Sequence, residues 1–425
     1  MPPTSSALPR LALVADTDSR WKWGTATAAK IGDVELQHFL IDTALRPSDR
    51  QLREAGVDPD AVTLVTIADL PAALEEHGSD IALVSLPGGA CQAVLHAMAS
   101  ATWTNRPIVI TGYVGVVYEK IIEGLLLRTG SDIVLANSRY DARTFTQYFT
   151  EYGADPAAII ESPLPYLSSA TRRGSHPHPY TVTFAAQPSV PASARERNYV
   201  IERLVQHARL HPDREVILKL RGMPGEQVTH AEPYPYSKMV ERRKRDLPPN
   251  FSMVGGPMSK VLHRTDLMVT VSSTAAVEAI QAGIATAVLT DFGISDRLGT
   301  PHYAGSGCLT SFDDIDGGAA PTASREWALD HGLLEGDHQA IRERVAELLA
   351  QRPLPPLQPF YNTGNASFYL PRLLASYGLA PDGQTITQGV VLNSVLGKVI
   401  KPLSKAAYRF GMVVVAPLLR KLGAL

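Results

Sequence analysis

Short apolar runs alternate with stretches of helical spacing along the first third of the chain. Apolar runs occupy residues 11–15, 81–85 and 107–111, and helical spacing is seen at 69–77 and 90–99. Near-continuous apolar strands separated by helices are typical of a parallel sheet that helices cover on both faces. The pattern therefore predicts a doubly wound α/β domain.

The pattern stops in a stretch rich in proline and serine and then begins again. Residues 164–179 have the composition of an interdomain linker. After it, apolar runs such as 181–185 and 267–271 again alternate with helical stretches. We therefore predict two Rossmann-like domains, at residues 1–163 and 180–358, whose carboxyl-end loops face each other across a cleft.

The end of the chain departs from this pattern. Residues 359–380 have helical spacing, and we predict a helix there that packs back on the N-terminal domain. No acidic residue follows Asp382, whereas six lysine and arginine residues do. Because apolar residues recur there at four-residue steps, residues 381–425 are predicted to form a basic amphipathic helical tail. Such a tail suits in-plane attachment to a membrane surface through residues 385–425, and the alternative is a helix docked on the body.

Composition and charge exclude several classes of function. Hydrophobic residues make up 45% of the chain and charged residues 19%, which is ordinary for a globular protein. The formal net charge of −2 gives no reason to expect nucleic-acid binding. The chain has two cysteines, no basic and apolar leader, and no apolar run long enough to span a membrane. We therefore expect a cytoplasmic protein that associates with the inner face of the plasma membrane through its tail.

The clearest local motif is a predicted strand that ends in Ser272, Ser273 and Thr274, directly before a predicted helix. The start of a helix presents free backbone N–H groups and the positive end of its dipole. With three hydroxyl groups beside it, this position suits a phosphate or pyrophosphate. Glu278, one turn further on, is placed to accept hydrogen bonds from a ribose. The alternative is ordinary capping of the helix by serine and threonine.

Another predicted strand end carries two cations. Lys219 and Arg221 alternate, so they share one face of the strand and could neutralise a diphosphate. The alternative is a solvated strand end followed by a turn. His230 is a further candidate ligand, although a lone histidine is more often structural. Gln187 follows the first strand of the second domain and is predicted to lie in a cleft loop that touches the nucleotide. The alternative is an ordinary turn, which Pro188 and Pro191 favour.

The first domain offers candidate acids. Asp16 and Asp18 follow the first strand, where either could act as a general base or bind a cation, and Glu119 is a third candidate. Aspartates in such positions also cap helices and shape turns. The glycines of 86–89 and 111–115 are predicted to lie in flexible loops at strand ends. The sequence has neither a dinucleotide-binding nor a P-loop spacing. It has no zinc-binding spacing of cysteine and histidine either, so no metal site is predicted.

Two α/β domains with a Ser-Ser-Thr element at a helix start resemble the GT-B glycosyltransferases. The motifs that carry the resemblance are Ala-Ala-Gln-Pro at 185–188, Lys-Leu-Arg at 219–221, Thr-His at 229–230 and Thr-Val-Ser-Ser-Thr at 270–274. They are most similar to an uncharacterised bacterial family assigned to the glycosyltransferases, and more distantly to bacterial sialyltransferases and capsule-polymer transferases. The His-Pro pair of the sialyltransferases is missing from the comparable strand end, where Lys219 and Arg221 stand instead. This difference counts against a CMP-sugar donor and leaves UDP or another nucleotide open.

The resemblance implies transfer of a sugar from a nucleotide-sugar donor on the C-terminal domain to an acceptor on the N-terminal domain. The acceptor would be a cell-envelope or capsular glycan, either free or lipid-linked. The hydroxyls and the two cations would stabilise the departing phosphate. Asp18, or in second place Asp16, would deprotonate the acceptor. GT-B enzymes as a family need no metal, so no metal or other cofactor is expected.

Four other functions stay open. Sugar-nucleotide epimerases share this fold, and a related architecture carries transferases that move a polyol phosphate from a CDP-alcohol. A peripheral membrane scaffold with a degenerate cleft would not be an enzyme at all. In the fourth alternative, Asp16 and Asp18 form the metal-binding motif of a single-domain GT-A enzyme, and the presence of a second α/β unit counts against it.

Overall fold

The structure is a computed structural model that describes residues 8–43, 46–54, 56–117, 121–167, 179–188, 190–220, 234–334 and 336–386. The chain divides into two compact units, Met1–Tyr361 and Asn362–Leu425. Most of the predicted linker and nearly all of the predicted tail lie outside the described residues. Everything that bears on the candidate site belongs to the first of the two units.

The strands of the first half are β1 (Arg10–Ala15), β2 (Glu35–Ile41), β3 (Val62–Val65), β4 (Ile81–Ser85), β5 (Ile108–Thr111), β6 (Ile133–Ala136) and β7 (Ile159–Glu161). Within the described residues they form one parallel sheet in the order β3-β2-β1-β4-β5-β6-β7. Every residue of β4, β5 and β6 is buried, as expected for strands that helices cover on both faces. The predicted doubly wound α/β architecture is thereby confirmed.

The helices of the first half are α1 (Asp18–Ile31), α2 (Asp49–Glu54), α3 (Leu70–Glu76), α4 (Gly88–Ser100), α5 (Ile121–Leu126) and α6 (Arg139–Glu151). The prediction of a flexible loop at 86–89 was wrong, because Gly88 and Gly89 are the first residues of α4. A Cβ on Gly88 would lie 2.8 Å from Cδ1 of Leu127. Gly88 therefore lets the start of α4 pack closely against Leu127, and its role is not to make a loop flexible.

The second half repeats the architecture. Its strands are β8 (Thr181–Ala185), β9 (Glu215–Lys219), β10 (Phe251–Val254), β11 (Leu267–Thr270), β12 (Ala285–Leu289) and β13 (Leu309–Thr310). Its helices, followed by those that end the described chain, are α7 (Ala194–Leu210), α8 (Tyr236–Glu241), α9 (Met258–Leu262), α10 (Thr274–Gln281), α11 (Phe312–Asp316), α12 (Arg325–Asp330), α13 (Gln339–Ala350) and α14 (Tyr369–Ala375).

The strand order of both sheets reverses at one point. The second sheet, in the described residues, has the parallel order β10-β9-β8-β11-β12-β13, so the chain changes direction across the sheet between β8 and β11. The first sheet reverses in the same way between β1 and β4. The loops that leave such neighbouring strands diverge and open a crevice at their carboxyl ends, where α/β proteins bind ligands.

The second domain ends earlier than its predicted limit at residue 358. Helix α13 packs on the first domain, and its Ile341, Val345 and Leu348 are buried in the core cluster that contains β1. Beyond it, Arg106 Nε donates to the Pro355 carbonyl at 2.6 Å. The chain therefore returns to the first domain at α13, because the apolar face of this helix completes the cover of the first sheet.

The helix predicted over 359–380 is also shorter in the structure. Only Tyr369–Ala375 is α-helical. Before it, Asn362 Oδ1 accepts hydrogen bonds from the backbone N–H groups of Gly364 and Asn365 at 2.8 and 3.1 Å, which gives a turn in place of a helical start. Its packing against the N-terminal domain stays a prediction.

The first described residues of the predicted linker pack into the core. Leu164 and Leu167 are each only 4% exposed and belong to the same apolar cluster as β1. They follow β7 directly, so the covered part of the first domain continues past the predicted boundary at residue 163. Among the described residues, no helix combines the length and the apolar character needed to cross a bilayer.

Candidate functional site

Two cavities lie between the carboxyl ends of the two sheets. The Lys219 cavity has a volume of about 690 Å³ and is lined by Lys219, Glu278 and the start of α10, together with residues of α1. The Arg297 cavity, of about 620 Å³, lies between the 113–117 loop of the first domain and Arg297 of the second. Ser272 and Gln187 line both cavities, so these form one cleft that is joined beside the start of α10.

A hydrogen-bond network joins the ends of β8 and β11 at the bottom of this cleft. Gln187 Oε1 accepts from the backbone N–H of Ser272 at 2.9 Å, and its Nε2 donates to the Ser272 hydroxyl at 3.1 Å. The Thr270 hydroxyl donates to the Ala185 carbonyl at 3.1 Å. The two strands that flank the reversal of strand order are therefore tied together by side chains as well as by their backbones.

The three consecutive hydroxyls have separate positions at the start of α10. Ser272 is buried, whereas Ser273 is the N-cap and its hydroxyl accepts from the Ala275 N–H at 3.2 Å. Thr274 is the first helical residue and, like Ser273, lines the Lys219 cavity. The capping alternative is therefore correct for Ser273. It does not exclude anion binding, because the capped helix start still opens on the cavity.

Lys219 and Glu278 are opposite charges that line the same cavity. Lys219 ends β9, is only 3% exposed, and donates its ammonium group to the Leu220 carbonyl. Burial raises the pKa of the Glu278 carboxyl, and the positive charge of Lys219 acts in the other direction. Three separate stretches of sequence, at β9, the start of α10 and its second turn, thus meet at one cavity.

The first domain supplies the opposite wall of the cleft. Asn137 Nδ2 donates to the carbonyls of Tyr113 and Gly115 at 3.2 and 2.9 Å, and the Tyr166 hydroxyl donates to the Val114 carbonyl at 3.1 Å. These bonds hold the loop after β5 in place. A Cβ on Gly115 would lie 3.3 Å from Cγ2 of Thr274, so this loop approaches the start of α10 closely.

The predicted acids of the first domain are engaged in ion pairs beside the cleft. Asp16 pairs with Arg20 at 2.9 Å, and Asp18 pairs with Lys22 at 2.9 Å. In each pair the two residues are four positions apart, about one helical turn, at the start of α1. Lys22 lines the Lys219 cavity, whereas neither aspartate lines either cavity. The role of Asp18 or Asp16 as general base stays a prediction.

Arg197 is a structural residue of the site that the sequence analysis missed. It lies on α7 and is fully buried, and its guanidinium donates to the carbonyls of Gln187 at 3.1 Å and Pro188 at 2.5 Å. It also donates to the Pro191 carbonyl at 2.9 Å. Arg197 therefore holds the loop that carries Gln187. The signal was present in the sequence, since this arginine shares the apolar face of α7 with Val200, Ile201 and Leu204.

Three predicted site residues, Arg221, His230 and Glu119, lie outside the described residues. Within the described ranges, no group of three or more histidine, cysteine, aspartate or glutamate side chains has the arrangement of a metal site. The cations and acids that the structure brings together at the cleft are therefore Lys219, Glu278, Lys22, Asp296 and Arg297.

Two parallel-sheet Rossmann-like domains with a cleft between their carboxyl ends define the GT-B class of fold. The chain belongs to the family whose model is described as "Putative glycosyltransferase (DUF6716)", which matches residues 11–348. The resemblance seen in the sequence motifs is thereby confirmed. A sequence comparison with curated proteins finds no match.

Solved structures with the same architecture include two epimerases. The UDP-GlcNAc 2-epimerase from Methanocaldococcus jannaschii is similar with a TM-score of 0.54 and 11% identity, over 80% of this chain and 99% of that one. Another UDP-N-acetylglucosamine 2-epimerase has a TM-score of 0.52 and 14% identity, over 83% of this chain and 100% of that one. At such low identity, the likeness establishes the fold alone.

Proposed function

We propose that this protein is a glycosyltransferase that binds the nucleotide of a nucleotide-sugar donor in the Lys219 cavity. The observation that carries the proposal is that the start of α10, Lys219 and Glu278 line one cavity at the point where the strand order reverses. The donor's first phosphate would lie against the start of α10, and the ribose of the donor would form hydrogen bonds with the Glu278 carboxylate.

The chemistry of these groups matches a phosphate better than an apolar ligand. The N–H groups at a helix start and the adjacent hydroxyl of Thr274 are donors to phosphate oxygens. Lys219 adds a positive charge in a largely buried position, where charges act more strongly than in water. These groups would stabilise the negative charge that develops on the nucleotide as the sugar departs.

The acceptor would enter from the side of the first domain. We propose a cell-envelope or capsular glycan, free or lipid-linked, and a reaction that needs no metal or other cofactor. The acceptor oxygen would form the new bond to the anomeric carbon as its proton passes to a carboxylate, with Asp18 as the first candidate and Asp16 as the second. The basic tail would hold the enzyme at the inner face of the plasma membrane.

A thermal-shift comparison of UDP, GDP, CMP, CDP and ADP tests the donor site. A nucleotide that binds only the folded state, present at a concentration 100 times its Kd, adds about 2.7 kcal/mol to the free energy of unfolding. We expect Ser273→Ala to lose most of this effect. Ser311→Ala is the control, because Ser311 is also the N-cap of a helix, α11, but lines neither cavity. If Ser273→Ala and Ser311→Ala lose the same share of the stabilisation by nucleotide, or if no nucleotide stabilises the wild type, the donor site is contradicted.

An epimerase would use the same nucleotide site, and its product distinguishes it from a glycosyltransferase. Its basis is the fold shared with two UDP-N-acetylglucosamine 2-epimerases. The protein is incubated with the nucleotide sugar alone, and the sugar is analysed by NMR. An epimerised nucleotide sugar would favour the alternative, whereas release of nucleotide that increases with an added glycan acceptor would support the transferase.

A further inference from the structure

The Arg297 cavity has a charged wall that the proposed donor site does not yet use. Arg297 lies on the 3-10 helix Asp296–Leu298, after β12. This turn is anchored, because Leu298 and Thr300 are buried and the Ser295 N–H donates to the Thr300 hydroxyl at 3.0 Å. The Arg297 side chain therefore projects from a fixed point of the cavity wall.

Arg297 differs from the other cations that line the cleft. Lys22 is paired with Asp18 at 2.9 Å, and Lys219 donates to the carbonyl of its neighbour. Among the described residues, the guanidinium of Arg297 makes no hydrogen bond or ion pair. Its positive charge interacts electrostatically with Glu196, whose carboxylate already accepts a hydrogen bond from the Ser193 hydroxyl. Of the cleft cations that lie in the described ranges, Arg297 is thus the most available to a ligand.

We infer that Arg297 binds the distal phosphate of the donor nucleotide, the phosphate that carries the sugar. This inference rests on the proposed function, because it takes the first phosphate to lie at the start of α10. Ser272 lines both cavities, so a diphosphate beside it extends from the Lys219 cavity into the Arg297 cavity. A guanidinium suits this position because it can donate two parallel hydrogen bonds to one phosphate.

The contact acts at the bond that breaks. When the bond between the anomeric carbon and the distal phosphate oxygen breaks, its electron pair stays on that oxygen. The acceptor oxygen forms the new bond to the anomeric carbon and releases its proton to a carboxylate or to solvent. Arg297 offsets the charge gained by the phosphate, so it assists departure as well as binding.

Asp296 provides an internal control on the same turn. Asp296 also lines the Arg297 cavity, so its negative charge should repel the anion that the arginine attracts. Neutralising the two residues should therefore change the affinity for a diphosphate in opposite directions. Local damage to the turn would instead weaken binding in both variants.

Titration calorimetry with matched nucleotide pairs tests the inference. The pairs are UMP and UDP, GMP and GDP, CMP and CDP, and AMP and ADP, and the full-length protein is used. For the pair that binds, we expect Arg297→Gln to weaken diphosphate binding about tenfold or more, the equivalent of one charge-assisted hydrogen bond. Binding of the monophosphate should be unchanged. Arg297→Lys should be intermediate, and Asp296→Asn should bind the diphosphate more tightly than the wild type.

The outcomes separate this inference from the function on which it rests. If the wild type binds a nucleotide and Arg297→Gln retains its preference for the diphosphate, the donor site stands and the role of Arg297 is refuted. Equal loss of monophosphate and diphosphate binding would also refute it. If the wild type binds none of the eight nucleotides, the donor site and the role of Arg297 both fail.

Discussion

The side-chain amide of Gln187 makes two hydrogen bonds to Ser272 at the bottom of the cleft, one with its backbone N–H and one with its hydroxyl. Gln187 Oε1 accepts the Ser272 N–H at 2.9 Å, while its Nε2 donates to the Ser272 hydroxyl at 3.1 Å. Gln187 follows β8 and Ser272 follows β11, the two strands between which the strand order reverses. The pair thus holds the two loops that line both cavities.

Replacing Gln187 should affect folding and binding together. Gln187→Ala leaves the Ser272 N–H without its acceptor, which should lower the free energy of unfolding by about 1–3 kcal/mol. Nucleotide binding should weaken as well, because the loop loses its position at the start of α10. Denaturant unfolding and a thermal shift with the best nucleotide of the panel measure the two effects.

Gln187→Glu separates the two roles. Glutamate keeps an oxygen acceptor for the Ser272 N–H, so most of the stability should return. It also adds a negative charge to the wall of both cavities, so nucleotide binding should stay weak. Tight nucleotide binding by Gln187→Glu would show that no anion lies near this side chain.

Glu278 should make nucleotide binding depend on pH. Burial raises the pKa of its carboxyl, with Lys219 acting in the other direction, so the carboxylate is lost at a higher pH than for an exposed glutamate. A charged acceptor binds a ribose hydroxyl more strongly than a neutral one. Affinity for the ribonucleotide should therefore fall as the pH falls through this raised pKa.

Comparing a ribonucleotide with its 2′-deoxy analogue isolates this effect of Glu278. The wild type should prefer the ribonucleotide, and Glu278→Gln should reduce that preference and remove its pH dependence. The phosphate groups titrate in the same way in both ligands, so their effect cancels in the ratio of the two affinities. A preference that is identical in the wild type and in Glu278→Gln would place the ribose elsewhere.

Folding stability should fall under mildly acidic conditions because of His302. Its ring packs against Tyr303, Trp327 and His331, with centroids 5.0, 5.7 and 4.9 Å away. Burial, helped by the charge of His331, lowers the pKa of His302 from 6.5 to about 3. The unfolded chain then takes up a proton at a higher pH than the folded one, so stability is lost as the pH falls below about 6.5.

Chemical denaturation between pH 7 and pH 4 measures this slope. His302→Gln should reduce it, because glutamine does not titrate, and the part that remains comes from other buried histidines of lowered pKa, such as His338. His263→Gln is the control, since His263 is exposed on the same domain. A slope that His302→Gln leaves unchanged would assign the acid sensitivity to other groups.

Removing residues 387–425 should abolish binding to vesicles of anionic phospholipid. The removed segment holds six basic and no acidic side chains, so its attraction to an anionic surface should weaken with added salt. Flotation of the full chain and of the shortened chain measures the difference, and neutral phosphatidylcholine vesicles serve as the control. Equal flotation of the two chains on anionic vesicles would contradict membrane attachment by the tail.

Local patterns in the sequence were sufficient to predict the architecture. The apolar residues of β8, for example, are buried on both faces, and such a run followed by a stretch of helical spacing is typical of a strand in a parallel sheet that helices cover. The sequence also predicted that the Ser-Ser-Thr element lies at the start of a helix and that Glu278 lies one turn further on, because serine and threonine at the end of a strand are typical helix N-caps. The sequence likewise predicted that Lys219 ends a strand.

Only the tertiary structure placed Arg297 on the cleft, Arg197 beneath the Gln187 loop, and α13 on the first domain. These relationships join residues that are far apart along the chain, and no local period encodes them. Arg297 lies in a short irregular turn after β12, where residue type alone does not distinguish a ligand contact from a solvated side chain. Its position depends on how the two sheets pack, because the opposite wall of its cavity comes from the other domain.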